Sequence, residues 1–240
     1  MAALALGHEA RVMVHEAAWV ARCVGRGEWA PLSNGDLEDL AARLSTRIYE
    51  AGEQLFAQGQ EPDGVYIVRE GRVELVWRGS MRRRLVVQIL HPGDVEGDIC
   101  TILAIAPPYS ARALDRVEAL VISPADLEAL LTRPQVSRRW LSSVAARLVH
   151  SQRRILQLQD HEVRGKVASL LLDEERGGVV ELPQESLAAL LSVRRQAVNG
   201  ALREFERAGL VRTSYRLVRI EDRAGLESVA GRRASREHAA

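Results

Sequence analysis

The sequence predicts an α+β fold in which an N-terminal antiparallel β-barrel is followed by a long helix and by a C-terminal winged helix-turn-helix. Up to about residue 133, short β-type runs are separated by glycine-containing turns. A long helical pattern follows Pro134, and short helical runs and a hairpin pattern follow residue 162. The predicted segments are an N-terminal extension (1–30), the barrel (31–134), the long helix (135–161), the helix-turn-helix domain (162–226) and a tail (227–240).

Length and composition indicate a globular protein. The chain has 240 residues, 47% of them hydrophobic and 27% charged, and this length suffices for two small domains with cores of their own. No apolar run reaches roughly 18 residues and no secretory leader pattern is found, so we expect a cytoplasmic protein without a membrane partner. The two cysteines, Cys23 and Cys100, are too few for a disulfide framework or a four-cysteine metal site.

The β-region begins after an alanine-rich extension that shows no clear apolar stripe. A short helix is predicted around Leu37 and Leu40, and β-type runs follow it. In one run, Val73 and Leu75 alternate with Glu74, which is typical of a strand with one buried face. Several such runs between glycine turns predict a small antiparallel barrel or sandwich.

The long helix carries an apolar seam whose members are spaced three, four, three, four and three residues apart. The seam residues are Leu141, Val144, Leu148, Ser151, Ile155 and Leu158. This spacing predicts a coiled coil with an identical helix, and thus a homodimer. The alternative is packing of the stripe on the chain's own β-domain, which would favour a broader face. Ser151 is polar, so its hydroxyl requires a partner, either its twin or a bound molecule.

A helix-turn-helix is predicted from two helical runs joined by the short break at Ser192 and Val193. The second run has a buried stripe at Val198, Ala201, Leu202 and Phe205. Its outer face then presents five polar residues as candidate DNA contacts. They are Arg194, Arg195, Gln196, Asn199 and Arg203.

These side-chain types suit the major groove of double-stranded DNA. Arginine can bind guanine O6 and N7 with two hydrogen bonds, and asparagine or glutamine can pair with adenine in the same way. Seven arginines lie between residues 192 and 220, opposed only by Glu204 and Glu206. A solvated helix face is the alternative, but the turn, the buried stripe and the hairpin pattern after residue 210 favour DNA.

Five segments carry a resemblance to a known family. They are residues 49–59 (YEAGEQLFAQG), 64–75 (GVYIVREGRVEL), 92–94 (PGD), 192–199 (SVRRQAVN) and 206–211 (ERAGLV). With the order of the domains, they make the chain resemble the CRP/FNR family of bacterial regulators, typified by the cyclic AMP receptor protein, over about residues 32–231. The resemblance implies the fold, a homodimer on a palindromic operator, a role in transcription, and RNA polymerase as a partner.

The resemblance also defines a candidate ligand pocket. In nucleotide-binding members, a Gly-Glu pair and an Arg-Ser pair about ten residues later hold the ribose and the phosphate. Gly97 and Asp98 match the first pair here, but Pro107 and Pro108 stand in place of Arg-Ser. Proline supplies neither a charge nor an amide donor, and a buried phosphate without compensation costs several kcal/mol. Cyclic AMP is therefore disfavoured, and no cofactor or metal is predicted.

Part of the pocket is retained, so two alternatives stay open: a different small ligand, or a protein that needs none. The candidate pocket residues are Gly97, Asp98, Ser110, Arg112, Ser151 and Gln152. Arg112, or the run of arginines at 82–84, is an alternative source of the missing cation. Ser151 and Gln152 correspond to polar residues that meet the base in cyclic AMP binders.

The predicted DNA reader departs from the family pattern as well. The best-known recognition helix of the family reads bases with Arg, Glu and Arg, which correspond to Arg195, Gln196 and Gly200 here. We therefore expect half-sites that differ from those of the cyclic AMP receptor protein. The predicted function is a homodimeric, sequence-specific transcription regulator that is not gated by cyclic AMP. The alternative is a ligand-sensing signalling module whose main output is not DNA binding; enzymes are disfavoured because no known catalytic motif is found.

Overall fold

The computed structural model describes residues 15–25, 31–79, 84–160 and 162–231, apart from the side chains of residues 157–160. These residues form two compact units: one runs to Val149 without Arg84–Val86, and the other contains Arg84–Val86 and the residues from His150 on. None of the described helices is long and apolar enough to cross a membrane.

The described elements up to Asp160 begin with two helices, continue with eight strands and one short helix between them, and end with two helices. They are α1 (residues 15–23), α2 (Asn34–Ala42), β1 (Leu44–Tyr49), β2 (Gln54–Phe56), β3 (Val65–Glu70), β4 (Val73–Arg78), β5 (Arg84–Leu90), β6 (Val95–Glu96), α3 (Asp98–Leu103), β7 (Ser110–Ala113), β8 (Val117–Ile122), α4 (Pro124–Leu131) and α5 (Pro134–Asp160). The strands form two four-stranded sheets, ordered β1-β8-β3-β6 and β2-β7-β4-β5. The predicted N-terminal β-domain is confirmed, as two sheets rather than one closed barrel.

The first of these sheets is covered on both faces. Tyr66 and Val68 of β3 pack with the second sheet in one core, whereas Val65 and Ile67 face a second core built with helices. This explains the nearly continuous apolar run of β3, since a strand buried on both faces needs no polar side. The simple alternation expected for β4 is wrong at one position, because Glu74 is buried between Val73 and Leu75.

The N-terminal extension contributes to the helical core, which its sequence did not indicate. Ala17, Val20 and Ala21 of α1 are buried in the cluster that contains Trp140 of α5. The adjoining turn is fixed by Arg139, whose Nη2 donates to the Gly25 carbonyl at 2.9 Å. A Cβ at Gly25 would lie 2.5 Å from the Arg139 carbonyl oxygen, and φ there is +117°, so this close approach requires glycine.

The elements after residue 161 form the second unit. They are α6 (Val163–Glu174), β9 (Val179–Val180), α7 (Gln184–Leu191), α8 (Arg195–Arg207), β10 (Val211–Ser214), β11 (Leu217–Ile220) and α9 (Arg223–Val229). The strands pair antiparallel in the order β10-β11-β9, and α6 packs against α8 and α9. The winged helix-turn-helix is thereby confirmed. α9 crosses residue 226, the expected boundary with the tail, because Leu226 and Ala230 are buried.

Candidate functional site

The helix-turn-helix joins α7 to α8 through one left-handed residue. Ser192 ends α7 with φ of 55°, and the Val193 amide donates to the Ala188 carbonyl at 3.1 Å. This turn leads directly into α8, whose buried residues are the four that the sequence stripe predicted. The opposite face of α8 is thereby free to present polar side chains.

The structure places the five candidate DNA contacts at the start and along one side of α8. Arg194 is the N-cap residue, and Arg195, Gln196 and Arg203 are exposed on the helix. Asn199 is partly buried, and within the described part of the chain its Oδ1 has no hydrogen-bond partner. Arg195, Asn199 and Arg203 follow one another at intervals of four residues, so they share a face.

Both acidic residues near this face are engaged by other groups. Glu206 accepts hydrogen bonds from the amide of Thr213 at 2.7 Å and from its hydroxyl at 2.6 Å. These two hydrogen bonds lower the pKa of the Glu206 carboxyl, and the bond from the hydroxyl has the larger effect. Glu204 lies 3.6 Å from Nε of Arg164. The arginines of α8 are therefore opposed by carboxylates that already have partners.

The hairpin β10–β11 forms a wing next to the start of α8. Its two-residue turn consists of Tyr215, which is 90% exposed, and Arg216, which has φ of 57°. A groove of about 430 Å³ lies between them and the helix-turn-helix, and Gln184 and Arg195 line its other side. The sequence analysis predicted the hairpin but did not single out Tyr215. The aromatic and basic residues at the tip of the hairpin could have indicated a candidate contact there.

Asp98 lies at the candidate ligand pocket but is not available there. It is fully buried, and its carboxylate accepts hydrogen bonds from Trp140 Nε1 at 2.7 Å and from Arg147 Nη1 at 3.0 Å. Nη2 of Arg147 and the amide of Ile99 donate to it as well. Gly97 holds the preceding turn with φ of 90°, and a Cβ there would lie 2.8 Å from the Gly64 carbonyl oxygen.

Arg147, which binds Asp98, is another residue of the candidate sites that sequence reasoning missed. Besides binding Asp98, its Nη1 donates to the Val95 carbonyl at 2.7 Å. Val136, Trp140 and Ser143 are buried at spacings of four and three residues, and Arg147 follows four residues later. The signal was therefore a second, inward stripe on α5, which the exposed leucine seam obscured.

A second carboxyl group, on Glu96, lies beside Asp98. Its Oε1 accepts hydrogen bonds from the Tyr109 hydroxyl and from the Gly97 amide, each at 3.0 Å. Desolvation by burial raises the pKa of Glu96, and the nearby charge of Asp98 raises it further. Burial also raises the pKa of Tyr109, and the nearby charge of Glu96 raises it further. A ligand anion at this place would meet two carboxyl groups.

The other candidate pocket residues of the first unit make contacts of their own. Arg112 is exposed, and its Nε donates to the Gly52 carbonyl at 2.7 Å. The Ser110 hydroxyl accepts from the Gln58 amide at 2.9 Å. Ser151 and Gln152 are exposed residues of the second unit. Arg82 and Arg83 lie outside the described residues.

The proline pair is part of the framework. Pro107 is buried, and its carbonyl accepts a hydrogen bond from the Gly59 amide at 2.9 Å, whereas Pro108 is exposed.

The seam of α5 is largely uncovered in the single chain. Leu141, Leu148 and Ile155 are each more than half exposed, and Ser151 is exposed. Val144 differs, because it packs partly against the helical core of the first unit. Leu158 lies outside the described side chains.

Comparison with known proteins places both units in one family. Residues 46–133 match the model of the cyclic nucleotide-binding domain, and residues 165–229 match that of the Crp-like helix-turn-helix domain. The HTH-type transcriptional regulator Cmr of Mycobacterium tuberculosis is 44% identical over 218 residues, which cover 90% of this chain and 89% of that protein. The chain belongs to the CRP/FNR family of transcription regulators.

More distant CRP/FNR proteins agree with this assignment. The CRP-like cAMP-activated global transcriptional regulator of the same organism is 28% identical over 76% of this chain and 87% of its own length. The structure of FixK2 from Bradyrhizobium japonicum aligns with a TM-score of 0.71 at 22% identity, over 78% of this chain and 96% of that one. The expected fold and the DNA-binding class of this CRP/FNR protein are thereby confirmed.

Proposed function

We propose that this CRP/FNR regulator binds a two-fold symmetric operator as a homodimer and needs no cyclic AMP to do so. The observation that carries the ligand part of the proposal is the state of Asp98. Its carboxylate is fully buried and is already bound by Arg147, Trp140 and the Ile99 amide. The chain thus supplies its own cation where a nucleotide site would receive a ligand.

The electrostatics of this place disfavour a cyclic nucleotide. A phosphate diester is negatively charged, and the positions from which the family pattern supplies its cation and hydroxyl are Pro107 and Pro108 here. Asp98 already balances the charge of Arg147, so a phosphate could gain that cation only by displacing a buried carboxylate. Leaving the phosphate or the Asp98 carboxylate buried without a counter-charge would cost several kcal/mol.

The homodimer is supported by the exposed seam of α5. Burying a leucine or isoleucine side chain contributes roughly 1.5–3 kcal/mol, so an uncovered row of Leu141, Leu148 and Ile155 favours association. The spacing in sevens matches a two-stranded coiled coil. A parallel pair of α5 helices would relate the two recognition helices by a two-fold axis, and the operator would then be palindromic with half-sites about 34–36 Å apart.

In this proposal the exposed start of α8 reads the bases. The protein acts in the cytoplasm, and RNA polymerase is its partner in transcription. Arg195 is expected to bind a guanine with two hydrogen bonds and Gln196 an adenine. Arg194 and Arg203 then contribute phosphate contacts or further base contacts. Asn199 is partly buried, so its amide is the least accessible of the five candidates.

Selection of bound genomic fragments without added nucleotide, followed by sequencing, tests the whole proposal. A palindromic motif is expected, and its affinity measured by fluorescence anisotropy should not change with cyclic AMP or cyclic GMP. Arg195→Ala should weaken binding to the selected site by about 1–3 kcal/mol and relax the preference at one base pair of each half-site. Arg78→Ala, which removes an exposed arginine of β4 in the first unit, serves as the control. Enrichment that requires a cyclic nucleotide would contradict the ligand-free part of the proposal, and an asymmetric motif would contradict the dimer.

A further inference from the structure

An exposed apolar surface on α3 is unexplained by the fold of the single chain. Four large aliphatic side chains between residues 99 and 105 are each 42% exposed or more. They are Ile99, Ile102, Leu103 and Ile105, and we call them the α3 patch. Scattered exposed apolar residues are ordinary, but a contiguous group of them marks an interaction surface.

The α3 patch is held in a defined conformation. Ile99, Ile102 and Leu103 lie at positions i, i+3 and i+4 of α3, so they share one face of the helix. Ala104 ends the helix in the left-handed conformation, and the Ile105 amide donates to the Cys100 carbonyl at 3.0 Å. This pattern is a helix C-cap, which fixes Ile105 next to the helical residues.

The helix α3 is joined to α5 by the buried pair of Asp98 and Arg147. Asp98, the first residue of α3, is bound to Arg147 of α5, and Ile102 lies one turn further along the same side of α3. Leu148, which follows Arg147, is an exposed residue of the seam. The pair thus joins the helix that carries the α3 patch to the helix that carries the seam.

The seam alone exposes less apolar surface than a stable dimer buries. A buried aliphatic side chain removes on the order of 100 Å² from water, so three half-exposed seam residues supply on the order of 200 Å². A stable interface usually buries roughly 800 Å² of total surface on each partner, of which roughly 450–500 Å² is apolar. Four side chains of the α3 patch would about double the apolar contribution, and a two-fold axis makes each contact occur twice.

We propose that the α3 patch docks against α5 of a second copy of this chain, so that the dimer interface extends beyond the helix pair. This inference rests on the proposed homodimer. The same two residues, Asp98 and Arg147, then serve a second purpose, because they hold α3 at the position where the partner helix passes. A ligand, another protein or a membrane surface on the patch are the competing occupants.

The first test compares two isoleucines of the full-length chain. Ile102→Lys places a charge in the α3 patch, whereas Ile48→Lys makes the same change on β1, where Ile48 is 52% exposed against 49% for Ile102. Sedimentation equilibrium should show the dimer dissociation constant raised at least tenfold by Ile102→Lys and by less than twofold by Ile48→Lys. Equal values for Ile102→Lys and the unchanged chain would overturn the inference.

The second test separates the patch from the seam and does not depend on a weakened dimer. Benzoylphenylalanine at position 102 should crosslink, on illumination, to residues 134–160 of the other subunit in the unchanged dimer, and the same probe at position 48 should not. Crosslinks only within one subunit, or only to another protein or to vesicle lipid, would overturn the inference. If Leu148→Glu yields monomers while Ile102→Lys does not, the homodimer stands and the patch assignment falls; if the unchanged chain is monomeric, the homodimer itself falls.

Discussion

Replacing Asp98 with alanine should destabilise the first unit by about 3 kcal/mol. Removing one member of a buried ion pair typically costs about 3–5 kcal/mol, because the other charge is left without compensation. The lower end applies here, since the side chain of Arg147 is 29% exposed and water can solvate it in part. Asp98→Asn should cost less, because the amide oxygen can still accept a hydrogen bond from Trp140 or Arg147.

Urea unfolding followed by tryptophan fluorescence measures this effect in the right part of the molecule. All four tryptophans lie at or before residue 140, so their emission reports on the N-terminal half of the chain. Trp140 itself donates to Asp98, and its emission should shift in both variants. Arg147→Met completes a double-mutant cycle, which isolates the coupling between the two side chains.

The expected coupling between Asp98 and Arg147 is at least 1 kcal/mol. Ile48→Ala, which removes an exposed apolar side chain from β1 of the same unit, is the control and should change stability far less. A loss below about 1 kcal/mol for Asp98→Ala, or additive effects of the two substitutions, would refute the view that this pair fixes α3 on α5.

Four further predictions address the dimer, the recognition helix, the buried acid and the wing. Leu148→Glu with Ile155→Glu should give monomers by light scattering, because like charges would meet across the seam; a persistent dimer would disprove the pairing. Gly200→Ala should raise stability by up to about 1 kcal/mol in thermal unfolding followed by circular dichroism, since a Cβ there meets nothing within 4 Å; a lower melting temperature would contradict this. Because burial raises the folded-state pKa of Glu96, the folded chain retains that proton better than the unfolded chain, and stability falls as pH rises through the raised value. Glu96→Gln should therefore increase the urea midpoint near pH 7 but not near pH 4. Equal increases at both pH values would show that burial of the Glu96 charge is not responsible. Arg216→Gly keeps a left-handed backbone that glycine adopts freely and removes a cation beside the groove, so the salt dependence of DNA binding should weaken by about one charge; an unchanged slope would place the wing away from phosphates.

Sequence patterns were sufficient to predict burial where a single periodicity describes which side of an element is buried. The buried stripe of α8 is amphipathic over thirteen residues, and the structure buries the four predicted positions. The alternation of β4 was informative on one face only, because Glu74 lies within a sheet whose neighbours cover it. Strand periodicity says which residues share a face but not whether the opposite face meets solvent.

The partner of Asp98 could not be predicted because the contact between them spans nearly fifty residues. Asp98 was singled out by its place in a family motif, but its partner, Arg147, lies on a helix that was interpreted through its outward seam alone. The helix α1 was missed for a similar reason: its buried positions are mostly alanines, which carry a weak hydrophobic signal until the surface that they pack against is known.

The site at Asp98 bears on two parts of the proposed function, the response to a ligand and the homodimer. An arginine of α5 neutralises the carboxylate that begins α3, so the helix that carries the exposed seam is bound to α3 by side chains of the chain itself. The acid and the cation neutralise each other, so a nucleotide phosphate would find no uncompensated positive charge on this pair. The same contact fixes α3, which carries the exposed apolar patch, on α5, which carries the exposed seam. Weakening the Asp98–Arg147 pair should therefore reduce dimer affinity and DNA affinity together, although neither residue belongs to the seam or to the recognition helix.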